Sequence, residues 1–372
     1  MKKFNPVRLT QARLWNDFSM DHLAGMVGVT KASIGLYERG GRNPDGAIQI
    51  KLANALNFPI DFFYTSSIDT SMSQISYRKK ANTLKRGKQR ADLLKQFSFE
   101  FTQLLSDYVT FKDSCIFPKD IPFEQLSTNE IEKISLEARK ELNAGMGPIQ
   151  NLMTFLENRG AFIFLYDNTI APVDGFSCIG GGRPYIYINK DYSWDRIRFT
   201  LAHELGHIFL HSGIDESEKR SVELNKLMEK QANFFAGAFL IPKKSFITDF
   251  ISPTKPFLFE MKRKWGMSMG GVVMRAYHLG LITRTKAQSY FSSASRKNER
   301  KEEIGKNLRE NEKPFVIASV INSLIQNNIV DKFFLKSYCA FPDDLLKILS
   351  SEILTEDIQE NLSPFIVKLS LL

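Results

Sequence analysis

The sequence predicts a mainly α-helical protein with one small β-sheet, the α+β class. Residues 8–64 contain five short segments with the apolar spacing and end signals of helices. Three runs, 161–166, 176–179 and 184–189, are apolar and rich in aromatic and β-branched residues, which indicates strands. A long apolar helical pattern follows at 196–211. At 372 residues the chain has room for two or three domains.

The composition is that of an ordinary soluble protein, with 43% hydrophobic and 24% charged residues. No stretch approaches the roughly 20 apolar residues of a membrane-spanning helix, and the first residues lack the apolar core of a secretory signal. The spacing of Cys115, Cys178 and Cys339 suits neither a disulfide framework nor a thiolate metal site. We therefore expect a cytoplasmic protein with no membrane partner.

The second and third predicted helices have helix-turn-helix spacing. Ser19 is a plausible N-cap for the second helix, which ends at Gly28, and Thr30 caps a third helix from Lys31 to Arg39. In such a unit the third helix enters the major groove of DNA, and its first turns face base edges and phosphates. Two groups of residues would make these contacts: Lys31, Ala32 and Gly35 to bases, and Thr30, Ser33 and Arg42 to the phosphate backbone. The alternative is a small helical domain that serves only for dimerisation.

A basic block follows this unit. The formal net charge is +9, and one acid, Asp92, lies among eight basic residues between Arg78 and Lys95. These eight are Arg78, Lys79, Lys80, Lys85, Arg86, Lys88, Arg90 and Lys95. Such a block attracts polyanions without recognising sequence, although a solvated helix face in a linker has the same composition. Its position favours DNA, with phosphate contacts expected from Lys79, Lys80, Lys85 and Arg86.

Two stretches of the N-terminal region carry a resemblance. V-T-K-A-S-I-G-L-Y-E-R-G-G-R-N-P, Val29 to Pro44, and L-A-N-A-L, Leu52 to Leu56, resemble the XRE/Cro-type repressor domain. The resemblance covers about residues 7–64 and implies a five-helix, lambda-repressor-like fold that binds double-stranded DNA. Met20 departs from it, because many relatives place there a glutamine that contacts the DNA backbone. Ala32 and Gly35 are poor hydrogen-bonding groups for recognising bases.

The sequence pattern divides the whole chain into four regions. We expect residues 1–66 to form the DNA-binding domain and residues 67–120 to form a basic helical connector. Residues 121–285 contain two helices, the strands around a glycine-rich turn and the long helix, and 286–372 form a helical C-terminal region without a motif.

The long helix carries the H-E-L-G-H run. His203 and His207 lie one helical turn apart on one face, so both can bind one zinc ion. Glu204 between them is the expected general base for the attacking water. A catalytic zinc needs a third protein ligand, and Glu229 is the best candidate because it begins the apolar stretch of a downstream helix, Leu227 to Ala236.

The same residues leave alternatives to this site. Glu218 and Glu223 are competing ligands, but both lie in a charged stretch typical of a surface. The H-E-L-G-H run could also be a chance match on a solvated helix. The apolar residues on both sides of the run argue against this, because they indicate a buried helix. Burying two histidines and a glutamate without a shared partner is costly. Asn233, one turn beyond Glu229, is expected to orient a histidine ligand.

A second resemblance covers this region. R-I-R-F-T-L-A-H-E-L-G-H-I-F-L-H, Arg196 to His211, and M-E-K-Q-A-N-F-F-A-G-A-F-L-I-P, Met228 to Pro242, are similar to the ImmA/IrrE metallopeptidases. With the N-terminal unit and flanking segments it extends over about residues 7–285. It implies a zincin-like pair of helices packed on a small sheet, with His203, His207 and Glu229 as zinc ligands. Members act as endopeptidases on a repressor or partner protein, or as regulators in stress, phage and toxin–antitoxin circuits.

Three further residues and one strand are candidates for this site. His211 is either a transition-state donor or a helix-end histidine bonded to a backbone carbonyl, and His278 could supply the same donor from across the cleft. Cys178 could reach the zinc as an inhibitory thiolate, although a buried strand cysteine is the ordinary alternative. The strand Tyr185–Asn189 could hold an extended substrate at a sheet edge.

The leading hypothesis is a DNA-binding transcriptional regulator with a zinc endopeptidase of conditional activity. Its expected partners are double-stranded DNA and a protein or peptide substrate such as a repressor or antitoxin, with a homodimer as one option. The alternative is a non-catalytic transcription factor whose zinc domain senses a signal or stabilises the fold. Both need zinc, so Glu204→Gln separates them, since it removes the base and keeps the ligands.

Overall fold

The computed structural model describes residues 3–67, 73–77, 85–119, 121–211, 221–296, 312–330, 339–351 and 366–369. Within these ranges no helix combines the length and the apolar character that crossing a membrane requires.

The N-terminal region folds as the five predicted helical segments. They are α1 Pro6–Trp15, α2 Met20–Val27, α3 Lys31–Glu38, α4 Gly46–Leu56 and a 3-10 turn Ile60–Tyr64. The Ser19 side chain accepts a hydrogen bond from the backbone N–H of His22, and Gly28 ends α2 with a φ of 77°. Thr30 caps α3 in the same way through Ser33. These caps explain the tight turn between α2 and α3 that the sequence predicts.

The main sheet has four strands in the order β1-β4-β5-β3. Their bounds are β1 Ser73–Tyr77, β3 Phe162–Tyr166, β4 Gly175–Gly180 and β5 Arg183–Asn189. β3 runs parallel to β5, whereas β4 is antiparallel to both β5 and β1. Gly181 and Gly182 make the turn between β4 and β5 with φ values of 57° and 75°, which glycine adopts without steric cost.

Two predictions about this sheet are wrong. Residues 67–120 are not a purely helical connector, because β1 lies within them and pairs with β4. The strand Tyr185–Asn189 is not a sheet edge, since β5 has β4 on one side and β3 on the other. In both cases the deciding hydrogen bonds join residues far apart in sequence, which local patterns do not record.

A small second sheet joins the connector to the C-terminus. After α5, Lys85–Ser106, the strand β2, Val109–Phe111, pairs antiparallel with β6, Ile366–Leu369. The C-terminal region also contains α14, Val316–Gln326, and α15, Asp343–Leu349. The prediction of a helical C-terminal region therefore holds for α14 and α15 and fails at β6.

The remaining helices surround the main sheet. They are α6 Thr128–Glu141, α7 Leu152–Glu157, α8 Trp194–His211, α9 Val222–Leu240, α10 Lys243–Asp249, α11 Lys255–Trp265, α12 Met269–His278 and α13 Arg284–Arg296. α9 begins five residues before the predicted start at Leu227, because the Ser221 side chain caps it by accepting from the Leu224 N–H at 3.0 Å.

The main sheet separates two hydrophobic cores. On β5, Ile186 and Ile188 belong to the core that contains α8 and α9. Tyr185 and Tyr187 belong to the other core, which contains the N-terminal helices, α5, α14 and α15. Successive side chains of a strand point to opposite faces, so β3, β4 and β5 each contribute to both cores.

The N-terminal domain is docked on α5. Arg8 of α1 forms a buried ion pair with Glu100, with 2.9 Å between Nη1 and Oε2. The Gln11 amide donates to the Gln96 side chain at 3.0 Å, and the indole of Trp15 donates to Asp344 of α15 at 3.3 Å. The domain therefore packs as part of the larger core, and these polar contacts fix its position on α5 and α15.

The C-terminal region is anchored on α7 and α8 by two buried glutamates. Glu312 pairs with Arg198 of α8 and accepts from the backbone N–H of Leu152 at 3.2 Å. Glu157 accepts from the N–H groups of Phe315 and Val316 at the start of α14. Burial raises the pKa of Glu157 to about 8, and the two N–H donors oppose that rise.

Candidate metal centre

Helices α8 and α9 bring three candidate ligands together. The Nε2 atoms of His203 and His207 lie 3.0 Å apart. Glu229 of α9 places Oε2 3.7 Å from His203 Nε2 and Oε1 3.5 Å from His207 Nε2. In the described parts of the chain, no other group of at least three His, Cys, Asp or Glu side chains is arranged to hold a metal ion.

The spacing of these atoms fits zinc. Tetrahedral zinc with bonds of about 2.0–2.1 Å separates its ligand atoms by about 3.3 Å. The observed separations of 3.0, 3.5 and 3.7 Å bracket that value. Glu223 lies exposed in the first turn of α9 and outside this group, whereas Glu218 falls outside the described residues.

His203 has a partner on its other ring nitrogen. Its Nδ1 lies 3.0 Å from Oδ1 of Asn233, which is one turn beyond Glu229 on α9. If His203 offers Nε2 to a metal, Nδ1 carries the proton and donates it to the amide oxygen. The structure thus places Asn233 where the sequence analysis expected an orienting group.

His207 is held by a longer chain of hydrogen bonds. Its Nδ1 lies 3.0 Å from Nδ1 of His211, and His211 Nε2 lies 2.9 Å from Oε1 of Gln231. The Gln231 amide in turn donates to the carbonyl of Phe123 at 2.6 Å. A metal on His207 Nε2 leaves the proton on Nδ1, so every bond then runs in one direction, from His207 through His211 and Gln231 to the carbonyl.

Neither expected role of His211 matches this geometry. His211 is buried and both its ring nitrogens are engaged, so it is placed as a positioning residue for His207 rather than as a transition-state donor. Through Gln231 it is linked to the backbone carbonyl of Phe123. The sequence analysis missed Gln231 and Phe123, although a glutamine two residues after Glu229 within an apolar stretch is a signal of a buried polar contact.

Glu204 is fully buried beside the ligands and faces the sheet. Its Oε2 accepts a hydrogen bond from Ser177 Oγ at 2.8 Å. Ser177 belongs to β4, and its neighbours Phe176 and Cys178 join the core on the other face of that strand. Sequence analysis missed Ser177, because only the strand alternation in space reveals which residue of β4 meets α8.

Cys178 and His278 are not members of the ligand group. The Cys178 side chain is buried on the sheet face opposite α8, so the suggestion of an inhibitory thiolate is wrong. His278 ends α12 and contacts the Phe234 ring with centroids 5.2 Å apart. Burial lowers the pKa of the His278 imidazole, and the charges of Arg275 and Lys230 lower it further. Its role as a donor across the cleft stays a prediction.

The candidate DNA-contacting residues of α3 are mostly accessible. Thr30, Lys31, Ala32 and Arg42 are exposed, and Ser33 is half-buried with its hydroxyl 2.9 Å from that of Thr30.

Gly35, also expected to contact bases, is buried beneath the exposed Arg39 side chain. A Cβ added there would lie 3.1 Å from Arg39 Nη1. The expectation for Gly35 is therefore wrong in this conformation, and Arg39 presents its guanidinium at that position. Sequence analysis missed Arg39 because it was placed only as the end of α3.

The basic block is not a uniform DNA-facing surface. Arg90 donates to the carbonyl of Thr169 and lies over the Trp15 ring, and burial lowers the pKa of its guanidinium. Lys95 is buried and pairs with Asp92 at 3.0 Å. Lys85 and Arg86 begin α5, and Lys79 and Lys80 lie outside the described residues, so their phosphate contacts stay a prediction.

Two family models match the chain. Residues 158–277 match a peptidase family model described as the IrrE N-terminal-like domain, and residues 9–63 match a model described as helix-turn-helix. These matches confirm both resemblances and their order along the chain. No curated protein matches the chain. The first match contains α8, α9 and the three candidate ligands, whereas α13 to α15 lie outside both matches.

Replacement of Glu229 tests the third ligand. We expect Glu229→Gln to weaken zinc binding at least tenfold, about 1.4 kcal/mol, because its carboxylate faces both imidazoles. Glu223→Gln is the matched control on the exposed first turn of α9, and its zinc affinity should stay unchanged. Titration against a competing chelator measures both affinities, and the reverse pattern would move the ligand to Glu223.

Replacement of His211 tests the hydrogen-bond chain behind His207. We expect His211→Ala to weaken zinc binding by about 10- to 100-fold, the usual effect of losing a group that orients a ligand. His211→Asn should restore most of the affinity, since its amide oxygen can accept the proton of His207 Nδ1. The cobalt-substituted visible spectrum should change in the alanine variant and recover in the asparagine variant. Equal losses in both variants would show that His211 only fills space.

Proposed function

We propose that this chain is a DNA-binding regulator that carries a zinc-dependent endopeptidase. The observation that carries the proposal is the convergence of His203, His207 and Glu229 beside the buried Glu204, within the segment that matches a peptidase family. A helix-turn-helix match in the same chain, with α3 exposed at its N-terminal end, supports the DNA-binding part.

The roles of the residues follow from their positions. His203, His207 and Glu229 would hold zinc, and zinc there supplies polarisation of the scissile carbonyl and a lower pKa for the attacking water. Glu204 would take a proton from that water and return it to the leaving amine. Ser177 fixes the Glu204 carboxylate through one oxygen, and Asn233 and His211 fix the imidazole planes.

The substrate we propose is a repressor or another regulatory protein that meets the enzyme near DNA. The N-terminal domain supports this placement, because its docking on α5 holds the peptidase part in a fixed relation to bound DNA. Conditional activity is also part of the proposal. β1 covers the outer edge of β4, the strand that carries Ser177, so an extended substrate that pairs with β4 has to displace it.

Comparison of cellular proteomes tests the peptidase. Cells with the wild-type chain should contain new protein N-termini that are absent with Glu204→Gln, since loss of a general base lowers the rate by about 10²- to 10⁴-fold. Glu223→Gln is the control for the same loss of charge at an exposed position. Equal zinc content in the three proteins shows that the ligands are intact. Identical N-termini in all three strains, under inducing stress as well, would favour the non-catalytic regulator.

Salt dependence of duplex binding tests the DNA-contacting surface. Neutralising Lys79, Lys80, Lys85 and Arg86 together should flatten the plot of log K against log salt concentration, by up to about 0.9 for each phosphate that the variant no longer neutralises. The control neutralises four exposed lysines of α6 and α10, which are Lys133, Lys140, Lys243 and Lys244. Binding of a random-sequence duplex by the full chain gives the slopes. An unchanged slope in the first variant would show that the block is a solvated helix face.

A further inference from the structure

A surface groove of about 320 Å³ lies between α6 and α10, next to the end of α9. We call it the α6–α10 groove. None of the residues that line it belongs to the metal-ligand group. It is defined by three apolar side chains and three lysines, which are Leu136, Met146 and Ile247 and Lys133, Lys243 and Lys244.

The accessible lining of the α6–α10 groove is almost entirely apolar. Leu136, Met146 and Ile247 are 47%, 39% and 47% exposed, and the buried residues Ala238 and Pro242 complete the apolar lining. Large apolar side chains that are exposed singly are ordinary on a protein surface. Three around one groove form a contiguous patch, and such a patch rimmed by polar groups is typical of an interaction site.

The groove is formed before any partner arrives. Ser245 Oγ of α10 donates to the carbonyl of Met146 at 2.8 Å, and the Arg139 guanidinium donates to the carbonyls of Gly145 and Gly147. The loop that carries Met146 is therefore tied to both α6 and α10. A guest that enters a pre-formed groove loses less free energy to the ordering of the protein.

The acid in the lining, Glu132, has its charge matched inside the protein. Its two oxygens accept from the Arg275 guanidinium at 2.6 and 2.8 Å, and Oε1 also accepts from the backbone N–H of Lys243 at 3.2 Å. Lys133, Lys243 and Lys244 are exposed. Because lysine buries its methylene stem against apolar surface and keeps its ammonium group in water, the rim of the groove is positive.

Two further acids of α6 have a cation of their own outside the groove. Glu137 and Glu141 lie 3.7 and 2.7 Å from Lys119 Nζ. Lys119 does not line the groove, whereas Lys140, another exposed lysine, lies one turn beyond Leu136 on α6. The positive charge around the groove is therefore available to an acidic partner.

Both walls of the groove repeat one arrangement. On α6 Lys133 precedes Leu136 by three residues, and on α10 Lys244 precedes Ile247 by three. Residues three apart lie on the same face of a helix, so each wall presents an apolar side chain with a cation one turn before it. An amphipathic helix with apolar side chains next to carboxylates is complementary to both walls. A nucleic acid would match the lysines but leave the apolar lining in contact with water.

We propose that the α6–α10 groove binds an acidic amphipathic helix of a partner protein. Leucine-type side chains of this helix occupy the groove, and its carboxylates contact Lys133, Lys243 and Lys244. The site goes beyond the proposed peptidase and DNA-binding functions and needs neither of them. α6, α9 and α10 pack in the core on the α8 face of the sheet, whereas the N-terminal domain belongs to the other core, so the partner and DNA bind to different parts of the molecule.

Fluorescence anisotropy of three stapled helical peptides with the full chain tests the groove. The peptides are about 15 residues long and are stapled because helices of this length are marginal in water. The first has leucines on one face and glutamates elsewhere, the second has lysine for every glutamate, and the third has glutamine for every leucine. We expect the first to bind about tenfold more tightly than the others, or better, since it alone matches both the apolar lining and the lysines. No binding of the first, or equal affinity for either of the others, would overturn the proposal.

Replacement of Ile247 tests the apolar part of the groove. Ile247→Asp should weaken binding of the leucine–glutamate peptide by about tenfold or more, because it places a negative, polar group in the lining. Val222→Asp is the matched control, at a residue 63% exposed in the first turn of α9 that does not line the groove, and its affinity should equal that of the wild type. Equal thermal unfolding of the two variants shows that both are folded. Equal loss of affinity in both would contradict the assignment of the groove.

A charge swap tests the rim. Lys133→Glu, Lys243→Glu and Lys244→Glu together should reverse the preference, so that the leucine–lysine peptide binds more tightly than the leucine–glutamate peptide. The control makes the same change of net charge at three exposed lysines of other segments, which are Lys51, Lys286 and Lys313. Its preference should match that of the wild type. An unchanged preference in the groove variant, or a reversal in both variants, would overturn the proposal.

Two measurements separate this partner from other occupants of the groove. Sedimentation compares the wild-type chain with Ile247→Asp, and we expect the same mass for both. Self-association that is lost in the variant would assign the groove to a second copy of the chain. A random-sequence duplex should leave the leucine–glutamate peptide bound, and its complete displacement by the duplex would assign the groove to nucleic acid. Either of these results would overturn the proposal.

Discussion

The close approach of α8 and α9 is the constraint on which the candidate site depends. It is made possible by Gly206, the glycine of H-E-L-G-H, because an added Cβ there would lie 3.0 Å from Phe235 Cδ1 and 3.3 Å from both Cα and the carbonyl oxygen of Ala232. With both residues small at this crossing, the two backbones meet. Glu229, one turn before the crossing on α9, then reaches both imidazoles of α8. A wider helix separation would leave the two histidines without the carboxylate.

Strand β4 connects the candidate site to the second hydrophobic core. On β4 the hydroxyl of Ser177 meets Glu204, whereas the next side chain, Cys178, lies in the core shared with the N-terminal domain and α5. One strand therefore contacts Glu204 on one face and contributes to the core shared with α5 on the other. Since packed interiors deform little, this shared core fixes β4, and with it Ser177 and the Glu204 carboxylate, relative to α5.

The parts that sequence analysis predicted share one property, which is that neighbours along the chain determine them. The helix ends at Ser19 and Thr30 and the i, i+4 pair His203 and His207 are local, and Glu229 followed from the apolar stripe of its own helix. The missed features depend on distant partners: β1 on β4, β6 on β2, and Ser177 on Glu204. The expectation for Gly35 failed for a different reason, because the side chain that covers it, Arg39, is only four residues away but its direction is not given by the sequence pattern.

The segments outside the two family matches are part of the same structure. Arg198 of α8 is fully buried, and its guanidinium donates to the carbonyls of Ile149 and Gln150 and to the carboxylate of Glu312. All three partners lie outside residues 158–277, although Arg198 itself lies on the ligand helix, five residues before His203. A buried guanidinium without partners is strongly destabilising, so these contacts with the flanks stabilise the matched segment. The C-terminal region, which carries no motif of its own, therefore helps hold the helix that presents the two histidines.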